Sequence, residues 1–387
     1  MTYDYDVIVL GGGIAGLWIG NRLRQAGYNL IVIEKEKLGA GQTLAAQGMI
    51  HGGQKYVLQG IVTPHATAAA RMPQRWQACF MGEGDVDLSA VKILSDSQIM
   101  WPAGSLVTSA AVMAAAKSVN AGCKKLDPAN YPEALKSHKK MRGPVYALPE
   151  KVLDMRSLVH ALAQKLPRHV VQGEIATLTQ TGEVAIADRR LRAKRIVVAA
   201  GRGNEGALQM LKVGARLTQR RPLQQVMVRP LPYAMFGHGI AVSRHPRITV
   251  TSHAIGRDRY VWYLGGGIAE TGATMDAASA VRFAAKELQQ IFPQIDWGEK
   301  EWATWQGDRA EPVDERGHLP PGPVVHAIGQ LLLAWPTKLT FAPALADLVV
   351  QRIKDVTPAG AQCDPPPLPV ADVGAYPWET ADWRKIA

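Results

Sequence analysis

The stretch YDVIVLGGGIAGLWIGNRLRQAGYNLIVIEK, residues 5–35, decides the fold. Residues 6–10 predict a short strand that is buried on both faces, as strands of parallel sheets are. A helix with a core-facing apolar side is predicted from Ile14, and NLIVIE at 29–34 predicts a second strand. A strand, a helix and a second strand joined by such short turns predict a parallel α/β unit.

The turn after the first strand contains the pattern GxGxxG. Gly11 permits a tight turn, Gly13 lets a pyrophosphate approach the backbone, and Gly16 lets the helix pack closely on the strand. The helix N-terminus offers N–H groups and the positive end of its dipole to phosphates. Glu34 ends the second strand, where a carboxylate accepts the ribose hydroxyl protons. This pattern predicts a site for the adenine dinucleotide part of FAD or NAD, formed by Gly11, Gly13, Ile14, Ala15, Gly16 and Glu34.

Composition and charge exclude several classes of protein. At 387 residues the chain is long enough for two packed domains. The net charge of +11 fits either a generally basic surface or attraction to an anionic partner. The basic residues are spread along the chain without a run of five, so the sequence does not indicate a basic arm that binds nucleic acid. Cys79, Cys123 and Cys363 lack the spacing of a metal site, and we expect no bound metal and no disulfide. Without a signal peptide or an apolar span, a cytoplasmic protein is expected, with peripheral contact to the inner membrane left open.

The remaining pattern predicts an interrupted domain organisation. The dinucleotide-binding domain is assigned to residues 1–80, 150–215 and 325–356. Residues 81–149 and 216–324 are assigned to a substrate domain with an insertion at 120–150, because stretches such as QQVMVRPL and RYVWYLGGG predict a mixed or antiparallel sheet. Residues 357–387 are a Pro-rich tail with two tryptophans, expected to lie over the surface. Helices are predicted at 61–82, 105–119, 156–166, 276–291 and 343–353.

Four stretches together resemble one family. They are the fingerprint with Glu34, the segment 42–56, RIVVAAGRG at 195–203 and WPTKLTFAPALADL at 335–348. They are similar to the FAD-dependent oxidoreductase superfamily of D-amino acid oxidase, glycine oxidase and the flavin-linked glycerol-3-phosphate dehydrogenase. The resemblance implies an α/β, Rossmann-like FAD-binding domain of the glutathione-reductase type, with an inserted α+β substrate part, and non-covalent FAD.

Within the family, the segment after the second strand runs along the flavin. TLAAQGMI at 43–50 looks like the glycine oxidase version, whereas IHGGQKY at 50–56 is closer to the dehydrogenase version. The chain is too short for the extra C-terminal domain of that dehydrogenase. The further FAD contacts that the resemblance implies are Lys35, Gln42, Thr43, Ala46, Gln47, Gly48, Met49, Ile175, Ala200, Gly201, Lys338, Leu339 and Thr340.

Two basic residues are implied to act in the chemistry. Lys338, with the backbone amides of the two residues after it, would stabilise negative charge on the pyrimidine end of the flavin. The alternative is a surface lysine at a helix start. Arg309 lies where many family members carry the arginine that grips the substrate carboxylate. Alternatively, it pairs with its acidic neighbours Asp308 and Glu311.

His51 has three interpretations. It can be a general base, because its ordinary pKa lies near neutrality, a covalent attachment point for flavin, or a polar residue that anchors the loop. Relatives with the His-Gly-Gly pattern bind flavin without a covalent bond, which disfavours attachment. Lys55, Tyr56 and His253 are further candidates for substrate contact, and for each an ordinary rim or core position is the alternative.

These features predict an FAD-dependent dehydrogenase or oxidase. It would oxidise a CH–OH or CH–NH group of a small anionic substrate, such as a hydroxy acid, amino acid or polyol phosphate, by hydride transfer to flavin. The hydroxyl and amine alternatives remain open, as does the choice of oxygen or a quinone as electron acceptor. A flavoprotein docked on a membrane that passes electrons to quinone is the alternative class. An RNA-modifying flavoenzyme would need clustered basic and aromatic residues, which the sequence lacks.

Overall fold

The computed structural model describes residues 2–52, 71–104, 123–136, 143–241 and 246–386. Its strands are β1 (Thr2–Leu10), β2 (Leu30–Glu34), β3 (Ile93–Ser95), β4 (Gln98–Pro102), β5 (Lys124–Lys125), β6 (Tyr146–Leu148), β7 (Val152–Leu153), β8 (Val170–Gln172), β9 (Ile175–Leu178), β10 (Glu183–Ile186), β11 (Arg189–Val198), β12 (Thr218–Leu231), β13 (Gly237–Ile240), β14 (Ile248–Gly256), β15 (Arg259–Gly265), β16 (Glu301–Pro312), β17 (Val324–Ile328), β18 (Leu331–Trp335) and β19 (Arg384–Lys385).

The helices vary widely in length. They are α1 (Ile14–Gln25), α2 (Met72–Phe80), α3 (Glu133–Lys136), α4 (Met155–Gln164), α5 (Gly203–Met210), α6 (Gly267–Gly272), α7 (Ala277–Ile291), α8 (Ala342–Arg352) and α9 (Pro377–Thr380), with 3-10 turns at Pro128–Asn130 and Leu339–Phe341. Within the described ranges, no helix is both long and apolar enough to cross a bilayer.

One sheet has the arrangement of a dinucleotide-binding domain. Its strands lie in the order β17-β18-β11-β1-β2-β8, and the five from β18 to β8 are parallel. The chain leaves β1 toward β2 on one side, whereas β11 pairs on the other side. The carboxyl end of β1 is therefore a topological switch point, where open α/β sheets bind their ligands. The predicted glycine turn lies at this point.

The second sheet is mixed, as the sequence predicted. Its order is β19-β16-β12-β15-β14-β13-β4-β6-β5, antiparallel except for the parallel pair β13 and β4. One face packs on helix α7 through residues such as Trp262 and Leu288. Met227 and Tyr263, on the same sheet, belong to the core that includes Leu17 and Trp18 of α1. The two sheets therefore share a continuous core, which also contains the first residues of α1 after the glycine turn.

The insertion expected at 120–150 contributes strands to this sheet. β5 and β6 extend its edge beyond β4. The helix predicted at 61–82 is described only from Met72, and the helix predicted at 105–119 lies outside the described residues. The domain limits given above stay a prediction.

The C-terminal tail is a strap rather than a loose surface segment. Val370 bridges to Val171 of the first sheet, and β19 pairs with β16 of the second. The strap crosses the surface, but the Trp378 side chain points inward and is only 5% exposed. The expectation that both tail tryptophans lie over the surface was therefore wrong for Trp378, because its ring packs into the core shared by the two sheets.

Asp6 fastens the strap to β1 and gives a stability prediction. Its carboxylate accepts the N–H groups of Asn29 and Ala359 at 3.0 and 2.8 Å, and the Lys194 ammonium at 2.7 Å. Burial alone would raise the pKa of Asp6, but these donors hold it below the ordinary value of 3.8. Asp6→Ala should lower the free energy of unfolding by about 2–4 kcal/mol at pH 7, because it leaves the buried Asn29 N–H and the partly buried Ala359 N–H and Lys194 ammonium without their acceptor.

The pH dependence of this effect has a definite sign. A carboxylate with a lowered folded-state pKa stabilises the fold above its unfolded-state pKa, and the contribution disappears as the pH falls through the folded-state value. Urea unfolding at pH 7 and pH 3 should therefore show a larger difference between wild type and Asp6→Ala at pH 7. The exposed Asp4, two residues earlier on the same strand, provides the control Asp4→Ala, which should change little. Equal effects of the two variants would contradict the role of Asp6.

Candidate functional site

The turn after β1 requires glycine at two positions for steric reasons. Gly11 has φ of +112°, and a Cβ there would lie 2.6 Å from the Ala199 carbonyl oxygen. A Cβ on Gly16 would lie 1.8 Å from the Gly11 carbonyl oxygen. These contacts involve backbone atoms that cannot move aside, so the turn can keep this shape only with glycine at both positions.

The start of helix α1 fits a pyrophosphate. The helix begins after Gly13 with no side-chain cap and no acidic residue in its first turn. Ile14 N–H donates to Thr43 Oγ1 at 3.1 Å, and a Cβ on Gly13 would meet only this oxygen. The positive end of the helix dipole therefore faces a site that includes the Thr43 hydroxyl and has no acidic residue in the first helical turn to repel the phosphates of a dinucleotide.

Glu34 is fixed at the end of β2 by backbone donors. Its Oε2 accepts the Gly12 N–H at 2.6 Å, and its Oε1 accepts the Glu36 N–H at 3.0 Å. The side chain is half-buried at the same strand end as the glycine turn. A carboxylate held here has remaining lone pairs for ribose hydroxyl groups. The residues present therefore fit the adenosine half of FAD.

The segment from Gln42 to Met49 connects the two sheets. Gln47 Nε2 donates to the Tyr263 carbonyl oxygen at 3.0 Å, and its Oε1 accepts the Thr249 hydroxyl at 2.6 Å. Gly48 has φ of +68°, and its carbonyl accepts the Leu153 N–H at 2.9 Å. These bonds hold the backbone of Ala46 and Met49 in place, while the Gln47 side chain is hydrogen-bonded to β14 and β15 of the second sheet.

The other predicted FAD residues on the first sheet lie around its strand ends. Ala200 N–H donates to Asn204 Oδ1 at 2.8 Å, and the half-buried Gly201 lies next to the Gln42 amide. Lys35 forms an exposed ion pair with Glu174, the residue before Ile175.

The turn after β18 carries Lys338, Leu339 and Thr340. Lys338 is half-buried, and its ammonium lies 5.7 Å from the centre of the Phe341 ring. The Thr340 hydroxyl donates to the His51 carbonyl at 3.2 Å, and the Trp76 indole N–H donates to the Thr340 carbonyl at 3.0 Å. The structure therefore brings the predicted turn to the predicted His51 loop. Trp76 is a supporting residue that the sequence analysis missed.

His51 lies at a junction of several buried polar groups. Its Nδ1 is 3.5 Å from Glu150 Oε2, and Glu150 Oε1 accepts the Gly52 N–H at 2.7 Å. The Glu150 side chain is 3% exposed and that of His51 is 18% exposed. The His238 ring centre lies 5.5 Å from that of His51, and His238 Nε2 is 2.8 Å from Gln98 Oε1. Buried titratable groups that lie this close together make the cluster a candidate catalytic centre.

Glu150, His238 and Gln98 were not predicted from the sequence. Glu150 follows β6 in LPEKV, and no spacing there singles out a carboxylate. His238 and Gln98 lie on neighbouring strands whose parallel pairing cannot be read from local patterns.

Burial raises the pKa of the nearby Cys123 thiol, and the negative charge of Glu150 adds to this. Among the described residues, no group of side chains has the makeup of a metal site.

The remaining candidates are not brought to the His51 junction by any described contact. Arg309 NH2 donates to both carboxylate oxygens of Glu270, at 2.9 and 3.0 Å. It therefore pairs with an acid from helix α6 rather than with its chain neighbours. His253 stacks on Trp378 with ring centres 3.9 Å apart, and burial lowers its pKa to about 3. Lys55 and Tyr56 lie outside the described residues.

Comparisons with known proteins agree with this geometry. The profile of the family described as FAD dependent oxidoreductase matches residues 6–352. A probable FAD-dependent oxidoreductase of Pseudomonas aeruginosa is 39% identical over 384 residues, which cover 97% of this chain and 98% of that protein. The crystal structure of an FAD dependent oxidoreductase from Pseudomonas aeruginosa matches with a TM-score of 0.83 at 35% identity, over 98% of both chains.

Two sequence matches cover a smaller part of the chain and are to proteins named for a specific activity. Glycine oxidase of Geobacillus kaustophilus is 34% identical over 74 residues, 19% of this chain and 20% of that protein. Its crystal structure has a TM-score of 0.67 at 19% identity, over 92% of this chain and 96% of that chain, which shows a shared fold. Aerobic glycerol-3-phosphate dehydrogenase of Staphylococcus haemolyticus is 32% identical over 56 residues, 14% of this chain and 10% of that protein.

Proposed function

This chain belongs to the FAD-dependent oxidoreductase family, and on that premise we propose that it oxidises a CH–OH or CH–NH group of a small anionic substrate, with His51 as the proton acceptor. The observation that carries the proposal is the junction at His51. There a buried carboxylate, the Lys338 turn and the substrate sheet meet in one place. FAD supplies the acceptor for the hydride that leaves the substrate carbon.

His51 combines two of the roles considered from the sequence. Its backbone carbonyl accepts the Thr340 hydroxyl, which anchors the loop. Its ring faces Glu150 and His238, so the atoms proposed for proton transfer are separate from the carbonyl that anchors the loop. Anchor and base are therefore compatible, since they use different atoms of the residue. A histidine suits a base near neutral pH because its ordinary pKa lies close to it.

Lys338 and the turn that follows it have a supporting role in this proposal. The ammonium is placed by a half-buried side chain beside Phe341, at the beginning of the 3-10 turn Leu339–Phe341. The Trp76 indole fixes the Thr340 carbonyl and so the path of the turn. A positive charge and N–H groups held in this way would stabilise negative charge that develops nearby during oxidation.

The His51–Glu150 contact favours a hydroxyl substrate. Oxidation of an alcohol requires removal of the hydroxyl proton, whereas an amine can react as its neutral form without a base. The resemblance of IHGGQKY to the glycerol-3-phosphate dehydrogenase version supports the same choice. An amine substrate is the alternative, supported by the resemblance of TLAAQGMI and by the glycine oxidase match. Docking on a membrane is not part of the proposal, because Trp378 of the tail is buried.

Anaerobic reduction of the bound flavin tests the proposal without assuming an electron acceptor. The purified protein would be mixed with hydroxy acids, amino acids and polyol phosphates, and the bleaching of the flavin band at ~450 nm would be followed. We expect rapid bleaching by a member of the hydroxy acid or polyol phosphate group. Fast bleaching by amino acids alone would support the amine alternative. Bleaching by uncharged alcohols or amines in preference to every anion would contradict the proposal. Reoxidation of the bleached protein by oxygen and by a soluble quinone then identifies the acceptor.

Arg309 gives a separate prediction about the anionic group of the substrate. A guanidinium can bind a carboxylate or phosphate through two parallel hydrogen bonds, but Glu270 occupies this donor in the structure. We expect Arg309→Met to raise KM at least about tenfold, the value of one charge-assisted bond. Glu270→Gln should lower KM, since the substrate then competes with a neutral group. Steady-state kinetics on the substrate found above checks both. An unchanged KM in Arg309→Met would remove Arg309 from the site.

A further inference from the structure

Glu150 is held against His51 by the backbone on both sides. Its own N–H donates to the Leu148 carbonyl at 2.7 Å, so the residue continues directly from β6. The next residues pair with the His51 loop, because Ile50 N–H donates to the Lys151 carbonyl at 3.0 Å and Met49 bridges to Val152. The loop and the segment after β6 therefore form a short antiparallel contact, and Glu150 has little freedom to move away from His51.

The two oxygens of Glu150 face different nitrogen atoms. Oε1 accepts the Gly52 N–H at 2.7 Å, which is a good hydrogen bond, whereas Oε2 lies 3.5 Å from the buried His51 Nδ1, close enough for electrostatic attraction but without hydrogen-bond geometry. A carboxylate has no proton to donate, so the imidazole nitrogen that faces it is best protonated. Protonation of Nδ1 in the neutral ring places the basic lone pair on Nε2, since neutral histidine carries a single N–H.

We propose that Glu150 is the positioning residue of the site: it holds the His51 ring with the proton on Nδ1, so that Nε2 is the nitrogen that takes the substrate proton. This rests on the proposed function of His51. The proton of the substrate hydroxyl moves to Nε2 and Glu150 remains ionised throughout, while bound FAD would supply the acceptor for the hydride of the carbon that bears the hydroxyl. The arrangement is the same in principle as that of other carboxylate–histidine pairs, in which the acid fixes the tautomer.

Other titratable groups face this pair from the surrounding elements. His238 comes from β13, Cys123 lies beside Glu150 before β5, and Lys338 belongs to the turn that packs on the His51 carbonyl. A protonated His238 or Lys338 would oppose a second positive charge on His51, whereas Glu150 would favour it. The tautomer of neutral His51 therefore reports the influence of Glu150 more specifically than the pKa of His51 does, because the pKa also depends on the other charges.

Replacement of Glu150 by glutamine should invert the tautomer. The Gly52 N–H needs an acceptor, so the amide oxygen should take the place of Oε1 and turn the amide NH₂ toward Nδ1. A donor facing Nδ1 favours the proton on Nε2. Loss of the negative charge should also lower the pKa of His51, because an opposite charge within ~4–6 Å favours the protonated form of histidine.

Nitrogen-15 NMR of the FAD-bound protein labelled at histidine tests the proposal without any substrate. The His51 signals are identified by their absence in His51→Asn. We expect the Nδ1–H form in wild type, the Nε2–H form with a lower pKa in Glu150→Gln, and the Nδ1–H form again in Glu150→Asp. Glu299→Gln, which removes an exposed carboxylate paired with Lys385, should leave the His51 signals unchanged.

The wild-type spectrum is decisive even if a variant fails to fold. A neutral His51 that carries its proton on Nε2 in wild type, or the same tautomer in wild type and a folded Glu150→Gln, would overturn the role of Glu150. The proposed function has its own test in the reduction rate of His51→Asn. If His51→Asn reduces flavin slowly but wild-type His51 carries its proton on Nε2, only the positioning role of Glu150 is contradicted. If His51→Asn reduces flavin at the wild-type rate, the role of His51 as base is contradicted.

Discussion

Replacing Gly11 with alanine is expected to give a protein that is purified without FAD. The backbone at Gly11 has φ of +112°, which L residues with a side chain rarely adopt. The added methyl group would also lie 2.6–2.8 Å from the backbone of Ala199 and Ala200, at the end of β11. The turn must therefore change shape, and the N-terminus of α1 would no longer face the pyrophosphate.

The change should be measured as FAD content and as stability. We expect the ratio of flavin to protein to fall at least tenfold, and the free energy of unfolding to fall by about 1–3 kcal/mol or more, as for other overpacked sites. Gly206→Ala is the matched control, because nothing lies within 4 Å of a Cβ at this helical position. That variant should keep FAD and gain up to about 1 kcal/mol. Full FAD content in Gly11→Ala would contradict the assignment of the turn from Gly11 to Gly16 to FAD binding.

Replacing His51 with asparagine should slow the oxidation of substrate without loss of FAD. A positioned general base contributes typically ~10²–10⁴-fold to a rate, and asparagine cannot accept the proton. The loop should survive the change, because it is held through the backbone: the His51 carbonyl accepts the Thr340 hydroxyl, and Glu150 accepts the Gly52 N–H. The rate of anaerobic flavin reduction should therefore fall by this factor at equal FAD content.

The control for this variant is a histidine outside the site. The His318 side chain is 74% exposed and lies close to Asp314 on the loop after β16. His318→Asn makes the same chemical change and should reduce flavin at the wild-type rate. If His51→Asn lost FAD together with activity, its loop role would account for the loss, and the assignment as base would need Glu150→Gln for support. If it kept the full rate, the base would have to be sought elsewhere.

The first sheet and its glycine turn could be predicted because the sequence patterns that indicate them are local. The turn from Gly11 to Gly16 lies within one βαβ unit, so its glycine pattern could be recognised there, although the atoms that require glycine at position 11 belong to Ala199 and Ala200 after β11. Helices α4, α7 and α8 were predicted within two residues, since their apolar faces are periodic and Asp154 and Asp276 cap two of them. Family resemblance then placed His51 and Lys338, and the structure brings their segments into contact through Thr340.

The partners of His51 could not be predicted because they come from distant parts of the chain. Glu150 meets Gly52 across 98 residues, and Trp76 meets Thr340 across 264. No periodicity encodes such contacts, which depend on how the two sheets pack. The tail shows the same limit: its composition indicated an exposed segment, whereas the stacking of His253 on Trp378 depends on the three-dimensional path of the strap.

The central claim, that His51 takes the substrate proton, is tested most directly by the pH dependence of flavin reduction. The limiting rate of flavin reduction at saturating substrate would be measured anaerobically in wild type and His51→Asn. The measurements would run from about pH 5 to about pH 9, which is about two units on each side of neutrality. We predict that the wild-type rate falls toward low pH as His51 becomes protonated, and that the variant is slow and lacks this limb. Profiles of the same height and shape in the two proteins would contradict the claim.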